Sequence, residues 1–296
     1  MIEILAPAKI NLYLHINAKR SDGYHDIDSL VTFANIGDRI TIEENQDFYF
    51  HCTGPYANSF NAQDQDNSLH SSNLVVQAAQ RFAHFCKKDP KIRITLEKNI
   101  PLSSGLGGGS SDAAATLWAL HKFWDIPVVP SNLQDLMLGL GSDVPVCFFA
   151  QTAHIQQKGD QITPIDIAED IPALLVNPHK HCSTRDIFLE YTGNYRSPIN
   201  LPSLYETSKD LSAYLVTQTD NDLTKTAQIK VPEIATILEQ LQKQSSLRLA
   251  RMSGSGASCF GLFDTWDQAQ DAAEILTQEN PDWWIRAVSL GSLERY

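Results

Sequence analysis

Pro101-Leu-Ser-Ser-Gly-Leu-Gly-Gly-Gly-Ser-Ser-Asp-Ala-Ala-Ala115 is the stretch on which the reading of this chain turns. Ahead of it, Ile92, Ile94 and Leu96 alternate with Arg93 and Thr95, the period of a strand. Behind it, Ala113, Leu117, Leu120 and Trp124 recur at helical spacing, so a glycine loop between strand and helix is predicted. Glycines 105, 107, 108 and 109 remove the side chains that would hold a ligand away from the backbone N–H donors. Ser110 is the expected cap of the helix, and the N–H groups of its first turn lie at the positive end of the dipole. Such a row of donors suits an anion, and a polyphosphate suits a loop of this length. The Walker pattern is excluded because the stretch holds no lysine, and the dinucleotide pattern because its third glycine would fall on Ser110. Glycine clusters also mark plain surface turns, but the amphipathic helix that follows at once favours phosphate.

The chain has 296 residues, enough for two cores, and its 43% hydrophobic and 20% charged residues are those of a soluble globular protein. Thirty-five acidic against 23 basic residues give a net charge of −12, which argues against a nucleic-acid partner. An anionic ligand must then be attracted locally. Cys52, Cys86, Cys147, Cys182 and Cys259 form neither a close pair nor a zinc spacing. No basic region precedes an apolar run at the start, and no apolar stretch reaches membrane-spanning length. A cytoplasmic protein with no membrane partner is expected.

Along the chain, residues 9–17 alternate Ile10, Leu12, Leu14 and Ile16 with Lys9, Asn11, Tyr13, His15 and Asn17, a half-buried strand with a polar face. A turn, Arg20-Ser-Asp-Gly-Tyr-His-Asp26, leads to strand-like runs near residues 30–33, 40–43 and 48–52. Residues 55–68 are polar and read as a loop. Ser72 is placed to cap a helix carrying Leu74, Val75, Ala78 and Phe82, and a further helix begins near Ser131 and stops at Gly141. Residues 146–150 read as an apolar strand, with Pro145 holding Val144 extended and Asp143 fixed at the junction. Beyond residue 151 come a buried strand at 174–177, a short helix at 186–191 and helices across 210–241. A second small glycine loop, Ser253-Gly-Ser-Gly-Ala-Ser258, and a helix capped by Thr265 follow. His179 and His181 are the only tight histidine pair and lack a third metal ligand; no Gly-x-Ser-x-Gly elbow supports a hydrolase.

Three motifs in this order, Pro7-Ala-Lys-Ile-Asn11, the glycine loop at 101–115 and Ser253-Gly-Ser-Gly-Ala257, resemble the GHMP kinase superfamily, which includes galactokinase, homoserine kinase and mevalonate kinase. Asp22-Gly-Tyr-His25 and Leu140-Gly-Ser-Asp-Val-Pro145 resemble the branch whose acceptor is a cytidine-diphosphate-linked sugar alcohol on the methylerythritol phosphate route to isoprenoids. The resemblance implies an α+β chain. It would comprise an N-terminal ribosomal-protein-like α/β domain over residues 1–155, with the ATP site and the catalysis, and a C-terminal ferredoxin-like α/β sandwich over 156–296 that completes the substrate site. The implied reaction carries the γ-phosphoryl of ATP, with Mg²⁺, to the 2-hydroxyl of the small-molecule acceptor.

Carried over by position, the resemblance implies Asp143 as general base and Lys9 as the catalytic lysine, keeping Asp143 ionised and offsetting charge on the phosphoryl group. Asn11 would orient the acceptor. The nucleotide would lie on Pro101, Leu102, Ser103, Ser104, Gly105, Leu106, Gly107, Gly108, Gly109, Ser110 and Ser111, with Asn73 and Leu74 near adenine. Ser103 and Ser104 depart from the glycines or alanines of several relatives. Ser111, at the loop's end, is the candidate for holding Mg²⁺; Asp112, as an anion, takes no ligand role. Tyr24 and Phe188 would sandwich the pyrimidine while His25 reads its polar edge.

Two rivals carry different expectations. Another GHMP kinase, acting on mevalonate or homoserine, would keep the glycine loop without needing Tyr24 and Phe188. A non-catalytic binding module would need neither Lys9 nor Asp143.

Overall fold

In the computed structural model, which describes residues 1–59, 71–127 and 130–293, strands and helices alternate along the chain. The first half holds β1 (Ile2–Lys19), β2 (His25–Glu44), β3 (Tyr49–Thr53), α1 (Leu74–Phe85), β4 (Ile92–Glu97), α2 (Gly108–Trp124), α3 (Pro130–Leu140) and α4 (Val144–Phe149). Then come β5 (Ala153–Gln157), β6 (Gln161–Pro164), β7 (Asp166–Ile167), β8 (Ile171–Asn177), α5 (Thr184–Leu189), β9 (Leu204–Tyr205), α6 (Ser208–Gln218), α7 (Thr224–Lys230) and α8 (Glu233–Gln242). The chain closes with β10 (Leu247–Met252), β11 (Cys259–Phe263), α9 (Trp266–Glu279) and β12 (Trp284–Gly291). Of the polar loop expected at 55–68, the part from residue 60 lies outside the described residues, and Ala57–Ser59 form a single 3₁₀ turn.

Contacts group these elements into two units interleaved in sequence: Met1–Ala8, Ile36–Leu102 and Gly107–Phe149 in the first, and Lys9–Asn35, Ser103–Leu106 and Ala150–Tyr296 in the second. Interleaving follows from the length of β1 and β2, each of which begins in one unit and ends in the other.

In the first unit, the later part of β2 pairs antiparallel with β4, Ile40 opposite Leu96 and Ile42 opposite Ile94, and β3 joins β4 in parallel. Against this stand four helices, α1 packing on α2 and α2 on α4. All of α2 between Ser111 and Leu120 is buried, and its alanines at 113, 114, 115 and 119 let neighbouring helices approach closely. Trp118 fixes α4 to it, donating Nε1–H to the carbonyl of Phe148 at 2.6 Å and stacking on that ring at 4.7 Å.

Residues 146–150, expected as a strand, lie mostly in α4. A short apolar run is indistinguishable from a buried helical turn by periodicity. Pro145 decides the matter in the other direction from that expected: it sits in the first turn, where its missing N–H has no intrahelical acceptor to lose. Two caps also differ. Asn73, not Ser72, caps α1, its Oδ1 accepting from Val75 N at 2.9 Å, and α2 starts at Gly107, not Ser110.

In the second unit the strands run β10, β11, β8, β12 and the first part of β2, all antiparallel, with β5 on that part of β2 and β6 on β5. Helix α9 covers β12 and β8, and α8 covers β10 and β11. Leu174, Val176, Ile234, Ile237, Leu241, Leu276 and Ile285 form the heart of the core. Each contributes about 1.5 to 3 kcal/mol relative to exposure. The expected capping box at Thr265 and Gln268 is present on α9.

Strand β1 departs from its half-buried pattern: Lys9, Asn11, Tyr13 and His15 are as buried as the apolar residues between them. Hydrogen bonds allow it. Asn11 donates to Ser29 at 2.8 Å, Tyr13 donates to Asp28, and His15 Nε2 accepts from the N–H of Asp220 at 3.1 Å.

Candidate active site

Helix α2 begins from Gly107, whose φ of 64° and ψ of 17° are left-handed and favour glycine. No side chain caps this end. The amides of Gly108, Gly109 and Ser110 at the helix start are therefore not consumed by a cap, which makes the site a better anion receiver than a serine cap would have left. Around it the first unit places Leu74 and the turn of Asp143. A side chain on Gly109 would lie 3.6 Å from Leu74 Cδ1, and one on Gly141 would lie 3.9 Å from Ser110 Oγ. The Asn73–Leu74 segment and the turn that carries Asp143 thus flank the same helix start. Asp143 is half-buried between α3 and α4, and its carbonyl accepts the first bond of α4 from Cys147 N at 3.1 Å.

Besides Asp112 Oδ1, Ser111 Oγ and Asn73 Nδ2 are buried here without a partner among the described residues. Buried polar atoms are normally paired, so each is an open bonding capacity of the kind a ligand fills. Among the described residues no cluster of three His, Cys, Asp or Glu could hold a metal ion unaided.

Beneath the loop lies an ion group that the sequence reading missed. Lys98, 3% exposed, donates to Asp38 and, at 2.7 Å, to Asp112; Asp38 Oδ1 also accepts from the N–H of Asn99 and of Ile100. This explains the anion at 112, which turns to the lysine and away from the loop. A Cβ on Gly108 would stand 3.0 Å from Lys98 Nζ and would press on this ion group. Burial opposes the charge of Lys98, but the carboxylates of Asp112 and Asp38 outweigh it and raise the pKa; burial pushes the Asp112 carboxyl well above the usual range. A signal existed in the strand phase: Asp38 shares the inward face of Ile40 and Ile42, and Lys98 that of Ile94 and Leu96.

In the second unit the two glycine loops brace each other. Ser253 Oγ donates to the carbonyl of Gly105 at 3.0 Å and accepts from Asn11 N at 3.1 Å, while Ser258 N donates to Ser104 O at 2.9 Å. Gly105 has φ 76°, and a side chain there would meet Ser253 O at 2.5 Å. Lys9 is held by its N–H to Leu106 O at 2.9 Å, which sets the strand against the loop. Gly254 lies where a Cβ would be 3.3 Å from Asn11 Oδ1, so the Asn11 amide faces this second loop.

The three residues expected at a pyrimidine all fall in this unit. His25 is buried, with Phe188 at 5.7 Å between ring centroids; burial and then Lys19 lower its pKa, so it is neutral near pH 7. Tyr24 is 64% exposed, with the Lys158 ammonium 5.8 Å from its ring. A further ring not expected from the sequence, Tyr191, meets His25 edge-on at 6.2 Å.

Residues 73–151 match the GHMP kinases N terminal domain and residues 205–282 the GHMP kinases C terminal domain. A 4-diphosphocytidyl-2-C-methyl-D-erythritol kinase of Chelativorans sp. (strain BNC1) is 38% identical over 290 residues, covering 97% of this chain and 95% of the relative. A crystal structure of 4-(cytidine 5'-diphospho)-2C-methyl-D-erythritol kinase superposes with a TM-score of 0.75 at 29% identity, over 98% of this chain and 99% of that one. Homoserine kinase from Cytophaga hutchinsonii gives a TM-score of 0.70 at 15% identity, covering 98% and 95% of the two chains, a likeness of fold alone. With a capless glycine start on α2, both family domains in order and such identity along nearly the whole length, the chain belongs to the GHMP kinases and, among them, to the 4-diphosphocytidyl-2-C-methyl-D-erythritol kinases.

Proposed function

We propose that this protein transfers the γ-phosphoryl group of ATP to the 2-hydroxyl of 4-diphosphocytidyl-2-C-methyl-D-erythritol. The observation that carries the reading is the uncapped start of α2 with Leu74 on one side and the Asp143 turn on the other. The acceptor is supplied by the relatives' names together with the neutral His25 beside Phe188.

Phosphoryl transfer asks for positioning and charge stabilisation more than for covalent chemistry. The amides of residues 105–111 hold the phosphates, and Asn73 Nδ2 and the Leu74 side chain meet the adenine. Asp143 takes the proton of the acceptor hydroxyl, Lys9 offsets charge on the transferring group, and Asn11 orients the alcohol. Tyr24, His25 and Phe188 hold the cytosine, with His25 in the neutral form both giving and accepting a hydrogen bond. Ser111, whose buried hydroxyl has no partner among the described residues, would be the protein ligand of Mg²⁺, and the ion would supply positive charge against the phosphates. Residues 1–155 act as the nucleotide-binding and catalytic domain and 156–296 as the domain that completes acceptor recognition. Among the described residues no helix is long and apolar enough to cross a membrane, and the cytoplasm, where ATP is present, is the proposed location.

The test is ATP consumption with the cytidylylated alcohol, mevalonate and homoserine side by side. Turnover with the first alone is expected. Turnover with mevalonate or homoserine and none with the cytidylylated alcohol would overturn the reading.

A further inference from the structure

Two rings close on one imidazole: Phe188 lies in the last turn of α5, and Tyr191 stands just beyond the residue that ends that helix, Glu190. Phe188 meets His25 at 5.7 Å with a tilt of 39°, and Tyr191 meets it at 6.2 Å and 89°, the edge-on arrangement that aromatic quadrupoles favour. Together they give the buried His25 ring one tilted and one perpendicular neighbour.

Tyr191 is itself built in. Its hydroxyl donates to the carbonyl of Asn194 at 2.8 Å, its ring lies 6.3 Å from Tyr195, and burial raises its pKa, keeping the phenol a donor. Gly193 leaves the space this requires, since a Cβ there would stand 2.6 Å from Tyr191 Oη. The loop beyond is tied down in turn: Arg196 N donates to Ile16 O at 2.9 Å, and Arg196 Nε pairs with the buried Asp222 at 2.8 Å. A surface loop with no task would not need a tyrosine hydroxyl, a glycine and an ion pair to hold one ring against a histidine.

We infer that Tyr191 is a positioning residue for pyrimidine recognition, fixing the plane of the His25 imidazole against Phe188 so that its ring nitrogens meet the base edge. The inference rests on the function proposed above. Reading a base edge is directional, because hydrogen bonds weaken steeply once the donor angle is lost. A histidine free to rotate about its side-chain bonds would meet cytosine in that orientation only part of the time. Tyr191 would therefore act on substrate binding and not on the phosphoryl step.

The experiment is steady-state kinetics of Tyr191→Leu and Tyr191→Phe with 4-diphosphocytidyl-2-C-methyl-D-erythritol and ATP. An edge-on aromatic contact of ordinary strength corresponds to about two- to tenfold in binding. Tyr191→Leu is expected to raise KM for the cytidylylated alcohol by about that factor, with kcat and KM for ATP unchanged. Tyr191→Phe keeps the ring edge and should restore KM. Equal KM in wild type and Tyr191→Leu, or a fall in kcat with no change in KM, overturns the inference while leaving the function standing. If wild type itself does not turn over the cytidylylated alcohol, function and inference fall together. Should Tyr191→Leu not fold, Gly193→Ala displaces the Tyr191 ring without altering His25 or Phe188, and the same rise in KM is required of it.

Discussion

Lys98 offers the sharpest test of the electrostatics under the first glycine loop, because two substitutions in one ion group should act unequally. Lys98, Asp38 and Asp112 are each nearly inaccessible, and two carboxylates face one ammonium. Lys98→Met would leave both carboxylates buried without a cation. Removing one partner of a buried pair costs about 3 to 5 kcal/mol, and the exposure of 3% leaves no solvent screening to discount it. At about 2 to 4 °C per kcal/mol for a unit of this size, melting should fall by about 6 to 20 °C. Asp112→Asn removes the carboxyl surplus to the pairing, whose charge burial already opposes, and leaves Lys98 paired with Asp38, whose second oxygen is already satisfied by Asn99 and Ile100. Its melting temperature should be unchanged or higher. Thermal unfolding followed by circular dichroism measures both, with ATP affinity by titration as a second readout. If Asp112→Asn destabilises as much as Lys98→Met, the group is a balanced network and the argument from surplus charge is refuted.

Three further outcomes follow from the same structure. Asp143→Asn should lower kcat by ~10²- to 10⁴-fold with nucleotide affinity retained, and a loss under about tenfold would remove Asp143 as the base. Gly105→Ala must adopt a left-handed φ costing about 1 to 2 kcal/mol and would push on the carbonyls of Ser253 and Gly256, so ATP binding should weaken, and an unchanged ATP Kd would place the phosphates elsewhere. His15 and His25 both titrate below their unfolded value, chiefly through burial, so the unfolded chain binds more protons as pH falls through about 6.5 and stability drops there. Urea unfolding at pH 7.5 and 5.5 should show this drop, and it should shrink in His15→Gln; an undiminished drop in that variant would exclude His15 as a source.

What the sequence made legible was local. The glycine loop and the flanking strand and helix, the end of α3 at Gly141, the second glycine loop and the Thr265 cap each depend on residues within one turn of one another. Their chemistry is sufficient to place them. What it hid was decided across the fold. Asn11, Tyr13 and His15 look solvated because their partners, Ser29, Ser253, Asp28 and the backbone of Asp220, are remote in sequence. Residues 146–150 look like a strand because a short apolar run has no period to separate strand from helical turn, and Trp118, which holds them as a helix, is remote in sequence. Tyr191 gave no pattern at all, being one more aromatic after a short helix until His25 is seen at its edge.

The net charge of −12 gives these buried groups a common logic. A protein that must receive a polyphosphate against its own field cannot rely on surface cations, and its placed cations are expended inward. Lys98 is consumed by two carboxylates. Arg251, 7% exposed, spends its guanidinium on neutral oxygens: Leu12 O on β1, and Leu215 O, Thr219 O and Thr219 Oγ1 at the end of α6, where burial lowers its pKa to about 10. A cation at a helix C-terminus is well placed. Its planar fork holds β1 at Leu12, one residue from Asn11, for which an acceptor contact is proposed above. In the function proposed above, attraction of the anion falls to Lys9 and to the start of α2, whose backbone N–H groups carry no net charge. Fixed dipoles of this kind favour the ligand only while their direction is held. The buried ions are therefore best understood as what holds the strands and loops in place, and the glycines as what leaves the amides open.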